Sequence, residues 1–536
     1  MTIQRIPIVS SVDPEAAGGG IVTGGAGTKN CYYSKYSDGR VYGGQRPAIN
    51  LREKASDVPV GTKGRGVVFW DNVEDMYIVN NDTVYKGGYS LPLAQKLSPG
   101  RDPVFMLEAD DGIGGSNLVI LDPENNEGWY INSSVPTTMI KIVDAVFTAI
   151  TLAGGGVSLD GYIFVMDIDG TIWNSNINNP TVWGGLDFIN ASREADKGVF
   201  LTKHHDHVVA MGSKSIEFFT DVGNPVGSPL ERRSDIFYNT GVTDYKHVFN
   251  SGDNIFFLGA ERIGTIGVFG LSGFKTSKLS TDEIDFFINN TLARSKFDFL
   301  VSGGYVGEHY SFYMTAVDPN SGNEWIPTST LVYDATNKLW TEFETIISDP
   351  VHPSFSIIQT SERGDPTSLA SDEAVLMFSN GDLGIFSLVG DLIDSSGQAS
   401  YMEWTAGDAL PDGEYVVNED DYVQDIGQDI EANIELIIRT GEADFDTMTD
   451  KFTGRLALVG TTVAGASGDT DIMVSWSDDH YNTFSAERPI DTGMRRMLSR
   501  CGRFKRRAHQ IRYAGTDAIR IEAVELDVRA SQYSQR

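Results

Sequence analysis

Two short stretches set metal-binding residue types at close spacing. Asp167-Ile168-Asp169-Gly170 places two carboxylates beside a glycine, as a calcium loop does. An EF-hand loop needs its glycine at position six and an acid at position twelve. Counted from Asp167, the glycine is fourth and the twelfth residue is Asn178, so the stretch reads as a tight turn. Asp318-Pro319-Asn320-Ser321-Gly322-Asn323-Glu324 reads the same way. His204-His205-Asp206-His207 is the one histidine cluster. In a strand, His205 and His207 would share a face, but zinc needs further ligands and the neighbouring sequence supplies none. A polar turn between two strands is the expectation. No metal and no cofactor is expected on this reading.

Nucleophilic catalysis has no support. There is no Gly-x-Ser-x-Gly elbow, and neither Cys31 nor Cys501 has a recognisable base nearby. A carboxylate pair for glycoside hydrolysis stays open, because 74 acidic residues offer many pairs and sequence does not fix their separation. The glycine-rich residues 13–30 lack the Lys-Ser/Thr and the helix that phosphate cradling needs, so they read as a loop or extended arm. Ser477-Asp478-Asp479-His480-Tyr481-Asn482-Thr483-Phe484 is similar to the Asp-box hairpin of sialidase-like propellers, with Tyr481 where that pattern has glycine. In those families the box is a structural turn, so it supports a hairpin and not an enzyme.

The sharpest charge shift is a basic run. Arg495, Arg496, Arg500, Arg503, Lys505, Arg506, Arg507 and Arg512 fall in a stretch with no acid from Gly493 to Thr516. The whole chain carries −32, so without these eight it would carry −32 − 8 = −40. Such a run either meets an acidic protein neighbour or a phosphate backbone, or balances acids of its own subunit. Gripping DNA is disfavoured, since only Phe504 and Tyr513 interleave with the basic residues.

The elements that must position these residues repeat. Tyr162–Met166 is apolar and β-prone, Asp167–Gly170 is turn chemistry, and Thr171-Ile172-Trp173 resumes the apolar run. Similar hairpins lie at 79–85, 121–129, 209–218, 332–340 and 377–386. Asp82, Gly170, Gly212 and Gly381 mark their turns, and Asp479 marks one further on. The closing aromatics are evenly spaced: Tyr85 to Trp129 is 44, Trp129 to Trp173 is 44, Trp173 to Phe218 is 45 and Trp340 to Phe386 is 46. A period of roughly 40–50 residues built of strands is the mark of a β-propeller. The interval from Phe269 to Trp340 is 71, and it holds the one helix signal: Ser280 and Glu283 at capping-box spacing ahead of Ile284, Phe287 and Ile288.

The expected fold is all-β. An N-terminal strand and glycine-rich arm (1–65) precede a β-propeller of six or seven blades (66–390), with one short helix inserted near residue 281. An acidic connection (391–425) leads to a β-sandwich platform domain (426–536). The −32 charge disfavours long-range attraction to nucleic acid. Two cysteines 470 positions apart give no disulfide framework. The most apolar stretch, Ala145–Leu152, is far short of the ~20 residues of a spanning helix, and the first residues lack a signal-peptide core.

A resemblance rests on further motifs. Arg500-Cys501-Gly502-Arg503-Phe504-Lys505-Arg506-Arg507, then His509-Gln510-Ile511-Arg512-Tyr513 and 519–528, looks like the end of the tail nozzle proteins of short-tailed bacteriophages, also called packaged-DNA stabilisation or tail accessory proteins. Ser215-Ile216-Glu217-Phe218-Phe219 with Gly241-Val242, the opening Ile3-Gln4-Arg5-Ile6-Pro7 and the helix after Ser280 are similar to the same family. The resemblance implies a non-enzymatic structural protein of the virion tail, assembled in the host bacterial cytoplasm. Its implied partners are five further copies in a homo-hexamer, the portal adaptor (head-to-tail connector), a tail fibre or spike and a plug or needle protein. Double-stranded DNA would pass without sequence specificity. Six copies would carry 6 × −32 = −192, so compensating contacts between subunits are expected. A propeller glycosidase acting on host polysaccharide and a receptor-binding adhesin remain the alternatives.

Overall fold

The structure is a computed structural model. It describes residues 2–8, 26–35, 39–45, 49–53, 63–191, 193–224, 226–252, 254–261, 264–293, 298–306, 309–318, 326–343, 357–361, 373–378, 383–387, 435–445, 449–462, 472–490, 497–514 and 519–530. The glycine-rich residues 13–25, the connection 391–425, and the sites Gly381, Arg495 and Arg496 lie outside the described residues, as does the 319–325 turn.

Seven blades of four or five strands form the propeller among the described residues. Blade one occupies 64–96, blade two 105–141, blade three 157–190, blade four 198–238 and blade five 240–278. Blade six occupies 298–343. Its strands Asp298–Val306, His309–Asp318, Ile326–Asp334 and Leu339–Phe343 pair in order. Blade seven has three strands from 357–387, and Ile49–Glu53 adds the fourth by pairing with Leu383–Ser387. The stretch before residue 65 is thus structural wall in part. It closes the ring, and the innermost strand of blade seven, Ile357–Ser361, then packs on Gly64–Trp70 of blade one.

Each gap between blades holds its own core. Trp70, Tyr77 and Val79 of blade one meet Leu118, Ile120 and Trp129 of blade two. Val119 and Leu121 of blade two meet Ile163 and Val165 of blade three. Residues of opposite parity on one strand therefore bury against different neighbours. That is why Ser116–Asp122 is buried at every position instead of alternating. Backbones also approach closely. Gly155, at φ +74, lies beside Leu201, where a Cβ would stand 2.1 Å from the carbonyl oxygen, so only glycine fits.

The spacing arithmetic holds with one shift. Tyr85, Trp129, Trp173, Phe218, Phe269 and Phe386 all lie in third strands of their blades, whereas Trp340 lies in the fourth strand of blade six. That offset and the helix Asp282–Ala293, which sits between blades five and six, account for the long interval. Thr281 Oγ1 accepts from Ile284 N–H at 3.4 Å, and Ile284 and Ile288 are fully buried against Phe299 of blade six.

The platform is a two-sheet sandwich. One sheet holds Cys31–Lys35, Val41–Gln45, Ile519–Ala530, Lys451–Thr462 and Met497–Phe504, with Thr2–Pro7 paired to Ile519–Ala530. The other holds Leu436–Arg439, Ala508–Tyr513, Ile472–Ser477 and Arg488–Ile490. One core cluster fills the space between them, from Ile6 and Cys31 near one terminus to Leu526 and Val528 near the other. The second sheet does not stop at the platform. Gly27–Lys29 pairs with Leu436–Arg439 on one side and with Leu339–Phe343 on the other, so blade six and the platform share one nine-stranded ladder.

Candidate functional site

Asp167 spends its carboxylate inside its own turn. Oδ1 accepts from the N–H groups of Asp169 and Thr171, both at 2.9 Å, and Oδ2 from Trp173 Nε1 at 3.3 Å. Gly170 sits at φ +85, the left-handed region a glycine reaches without strain. The histidine cluster is likewise a hairpin turn. His204 pairs with His207, and His205 takes φ +50 at the bend. His204 Nε2 lies 2.5 Å from Gly273 O, His207 Nε2 lies 2.8 Å from Arg233 Nη1, and all three rings surround Phe274 of blade five. Burial lowers the His204 and His207 basicity, which suits neutral rings packed on an aromatic. Among the described residues no group of three or more His, Cys, Asp or Glu side chains is placed to hold a metal.

The remaining turns serve packing. Asp82 holds Thr83 Oγ1 at 2.7 Å and Lys96 Nζ at 3.1 Å across the blade-one hairpin. Gly212 is a close approach and not a left-handed turn: a Cβ there would meet Asp196 Oδ2 at 2.4 Å. The Ser477–Phe484 stretch has Asp-box geometry. Asp479 Oδ1 accepts from Thr483 N–H at 2.9 Å, Oδ2 from the Thr483 hydroxyl at 2.6 Å, and Ser477 Oγ accepts from Tyr481 N–H at 3.0 Å. The Thr483 hydrogen bonds hold the Asp479 carboxyl at about 2. Tyr481 sits at φ +62 where the pattern has glycine, and its hydroxyl donates to Thr440 O at 2.9 Å.

The propeller bore is crossed by side chains. Phe105 of blade two packs edge-on against Phe200 of blade four and Tyr245 of blade five, with centroids 5.2 and 6.2 Å away. Tyr245 Oη donates to Asp102 at 2.5 Å, reaching from blade five to the approach of blade two on the far side of the ring. Lys246 Nζ lies 3.0 Å from Asp244 and 3.7 Å from both Asp102 and Asp298. Burial alone would raise the Asp298 carboxyl, but the His247 hydrogen bond at 3.0 Å and the Lys246 charge outweigh it and hold it at about 2. Beside this cluster an open cleft of about 470 Å³ is lined by Leu107, Thr202, Tyr245, Lys246, Asn250 and Val301. A space of that size admits a small molecule at most.

The basic run divides. Arg507 is 2 % exposed. Its guanidinium grips Asp478 at 2.6 and 2.7 Å, donates to Cys501 O at 2.5 Å and lies over the rings of Trp476 and Phe504. Arg507 locks the Asp-box turn to the last hairpin and is engaged within its own subunit. Arg512 reaches Glu435 at 2.8 Å and Glu487 at 2.6 Å, Arg506 reaches Glu442 at 3.4 Å, and Arg503 pairs with Asp450. Arg500 and Lys505 are exposed. Four of the eight thus meet acids of their own subunit, although Arg503, Arg506 and Arg512 keep an exposed side.

Three features escaped the sequence. Arg65, wholly buried, donates to the equally buried Asp122 at 2.7 Å and to Asp102 O at 2.8 Å, clamping blade one to blade two. The Lys246 cluster is the second. The third is His509, enclosed in the platform next to Arg507, where burial and that charge push the imidazole down to about 3. The His509 motif was visible, but burial has no local sequence signature.

A family model described as the β-propeller of bacteriophage P22 Gp10 matches residues 36–355, more than half of the chain. The chain belongs to that family. It is a phage structural protein of the tail accessory (stabilisation) family. Within this Gp10 propeller family member, the matched residues hold blades one to six, whereas the strands Glu373–Phe378 and Leu383–Ser387 and most of the platform lie beyond them. No curated protein matches the chain in sequence. Among solved structures, similarity is found to the N-terminal domain of Nup159, at 7 % identity over 67 % of this chain and 98 % of that one, with a TM-score of 0.36. BamB from Moraxella catarrhalis is similar at 9 % identity over 67 % and 96 %, with a TM-score of 0.35. Chaetomium thermophilum Raptor is similar at 13 % identity over 65 % and 29 %, with a TM-score of 0.36.

Proposed function

We propose that the chain is a structural, non-enzymatic subunit of a phage tail nozzle. Several copies, six by the family resemblance, form a ring below the portal adaptor. The ring extends the DNA channel, holds back packaged genome together with a plug or needle protein, and conducts it on ejection. Membership in the Gp10 propeller family carries this reading. Two physical features support it. The side chains that cross the propeller bore leave no room for a duplex, so the DNA path would run between copies. The −32 charge would keep channel walls from adhering to phosphates, so that DNA slides.

Electron microscopy of the purified chain and of virions tests the proposal. The expected result is a closed ring with an open axial channel, found at the virion tail. Monomers without a channel, and no density for the chain at the tail, would overturn it. Release of reducing sugars from host glycans by the purified chain would favour the glycosidase instead, and saturable binding to host cells by isolated monomers would favour the adhesin.

A further inference from the structure

Two exposed apolar surfaces lie in different parts of the fold, one with more arginines than acids around it and the other with more acids than arginines. The first is the outer face of the first platform sheet. Phe452 is 55 % exposed and has Arg503 and Arg529 as its cross-strand neighbours. Ile3, 72 % exposed, stands on the adjoining strand opposite Asp527, and Arg455 and Arg500 follow along the same face, where arginines outnumber acids. An aromatic and an aliphatic side chain set among arginines is the composition of an interface core. The second surface is the outer rim of blades three and four. Leu186, 77 % exposed, lies on the outermost strand of blade three, Asn179–Asn190. Val226, 83 % exposed, lies beside it on blade four, where a Cβ on Gly227 would stand 3.6 Å from Leu186 O. Asp187, Asp221, Glu231 and Asp235 outnumber Arg232 and Arg233 on the strands of this rim, and Arg233 is already paired with Asp235.

Topology sets the two surfaces apart. The platform is tied to blade six through Gly27–Lys29. In a ring of seven blades, blade three is three steps from blade six, the greatest separation available. One chain cannot fold its own rim onto its own platform. A surface on one end that complements a surface on the other makes a head-to-tail contact, and such contacts close into rings when the rotation permits.

We propose that the Phe452 face of the platform docks on the Leu186–Val226 rim of a second copy of this chain, and that this contact repeats around the nozzle ring. The apolar centres exclude water, and the arginines meet the rim carboxylates of the next copy. The inference rests on the nozzle reading, because it supplies that reading with its subunit contact.

The test uses the full chain with two exposed substitutions, Phe452→Glu and Leu186→Glu, each checked for a wild-type melting temperature. Mass photometry reads the assembly state. Wild type should form rings, and each variant alone should need at least about tenfold more protein to assemble. Mixed in equal amounts, the two variants should stop at dimers. Phe452→Glu still offers an intact rim and Leu186→Glu an intact platform face, so one good contact forms, and the next would set glutamate against glutamate and is blocked. Rings that persist in both variants overturn the pairing and leave the nozzle reading intact. Loss of rings in both variants without dimers in the mixture also overturns it, since that pattern belongs to a like-with-like contact. A wild-type chain that stays monomeric overturns both readings.

Discussion

The propeller and the platform are both built of strands, yet they bury their residues by different rules. In the propeller each central strand is covered on both faces by neighbouring blades, so Ile255-Phe256-Phe257-Leu258 is buried throughout, and its even and odd residues serve different gaps. In the platform each sheet has one inner face, so Leu436 and Ile438 are buried and Ile437 between them is not. The propeller is a closed series of small cores. The platform is one core assembled from both ends of the chain, and Ile6 and Val524 share it as partners in register. Charges follow the same division. Arg65 and Asp122 hide completely between two blades, whereas Arg503, Arg506 and Arg512 sit at the platform surface with acids at hand.

The strongest way to break this comparison is to strike one propeller gap. Arg65→Met leaves Asp122 charged, buried and without its partner. Stability should fall by about 3–5 kcal/mol in urea unfolding, the usual effect of breaking a buried pair from one side. Hydrogen exchange should rise first in blades one and two and leave Ala508–Tyr513 protected. Equal loss of protection in the platform would show that the two regions unfold as one body through the shared ladder. The corresponding strike in the platform is Arg507→Met. It removes the bidentate Asp478 pair, but Asp478 is 40 % exposed and can rehydrate, so the loss should be smaller, about 2 kcal/mol. An effect as large as that of Arg65→Met would erase the distinction drawn between the two regions.

Acid should act on the platform through His509. Its imidazole is held down to about 3 in the folded chain, against about 6.5 when unfolded. Above pH 6.5 it is neutral in both states and contributes nothing to the pH dependence. As pH falls from about 6.5 toward 3, the unfolded chain takes up a proton that the folded chain refuses, so platform stability falls. His509→Leu should flatten that limb when melting temperature is followed against pH. A limb of unchanged slope would place the acid sensitivity elsewhere, with Asp298 and Asp479 the carboxyls to follow below pH 4.

The propeller was legible in the sequence because a hairpin and its closing aromatic recur at a near-constant interval, as at Trp129 and Trp173. The one misplaced strand, around Trp340, came from an aromatic in the wrong strand of its blade, which no local pattern reveals. The closure by Ile49–Glu53 was not legible. It joins residues more than three hundred positions apart, and a five-residue strand carries no mark of its partner. The basic run was visible as composition, but composition does not say which arginine is buried. Arg507 and Arg506 are adjacent in the turn between the strands Met497–Phe504 and Ala508–Tyr513, and that turn sends one inward to Asp478 and leaves the other at the surface.

The smallest expected effect sharpens the same contrast at one turn. Tyr481 stands at φ +62, where the Asp-box pattern has a glycine, and a large side chain in that region carries a backbone cost. What holds it there is its ring and its hydroxyl, which donates to Thr440 O and so joins the turn to the strand Leu436–Arg439 and its neighbours. Burial and Glu442 push the phenol up to about 12, so it remains a donor across the accessible pH range. Tyr481→Phe keeps the ring and the strain and removes only that bond, so stability should drop by about 1 kcal/mol. If urea unfolding finds no loss, the ring alone holds the left-handed turn. The platform would then keep this strained residue by packing, as the propeller keeps its blades.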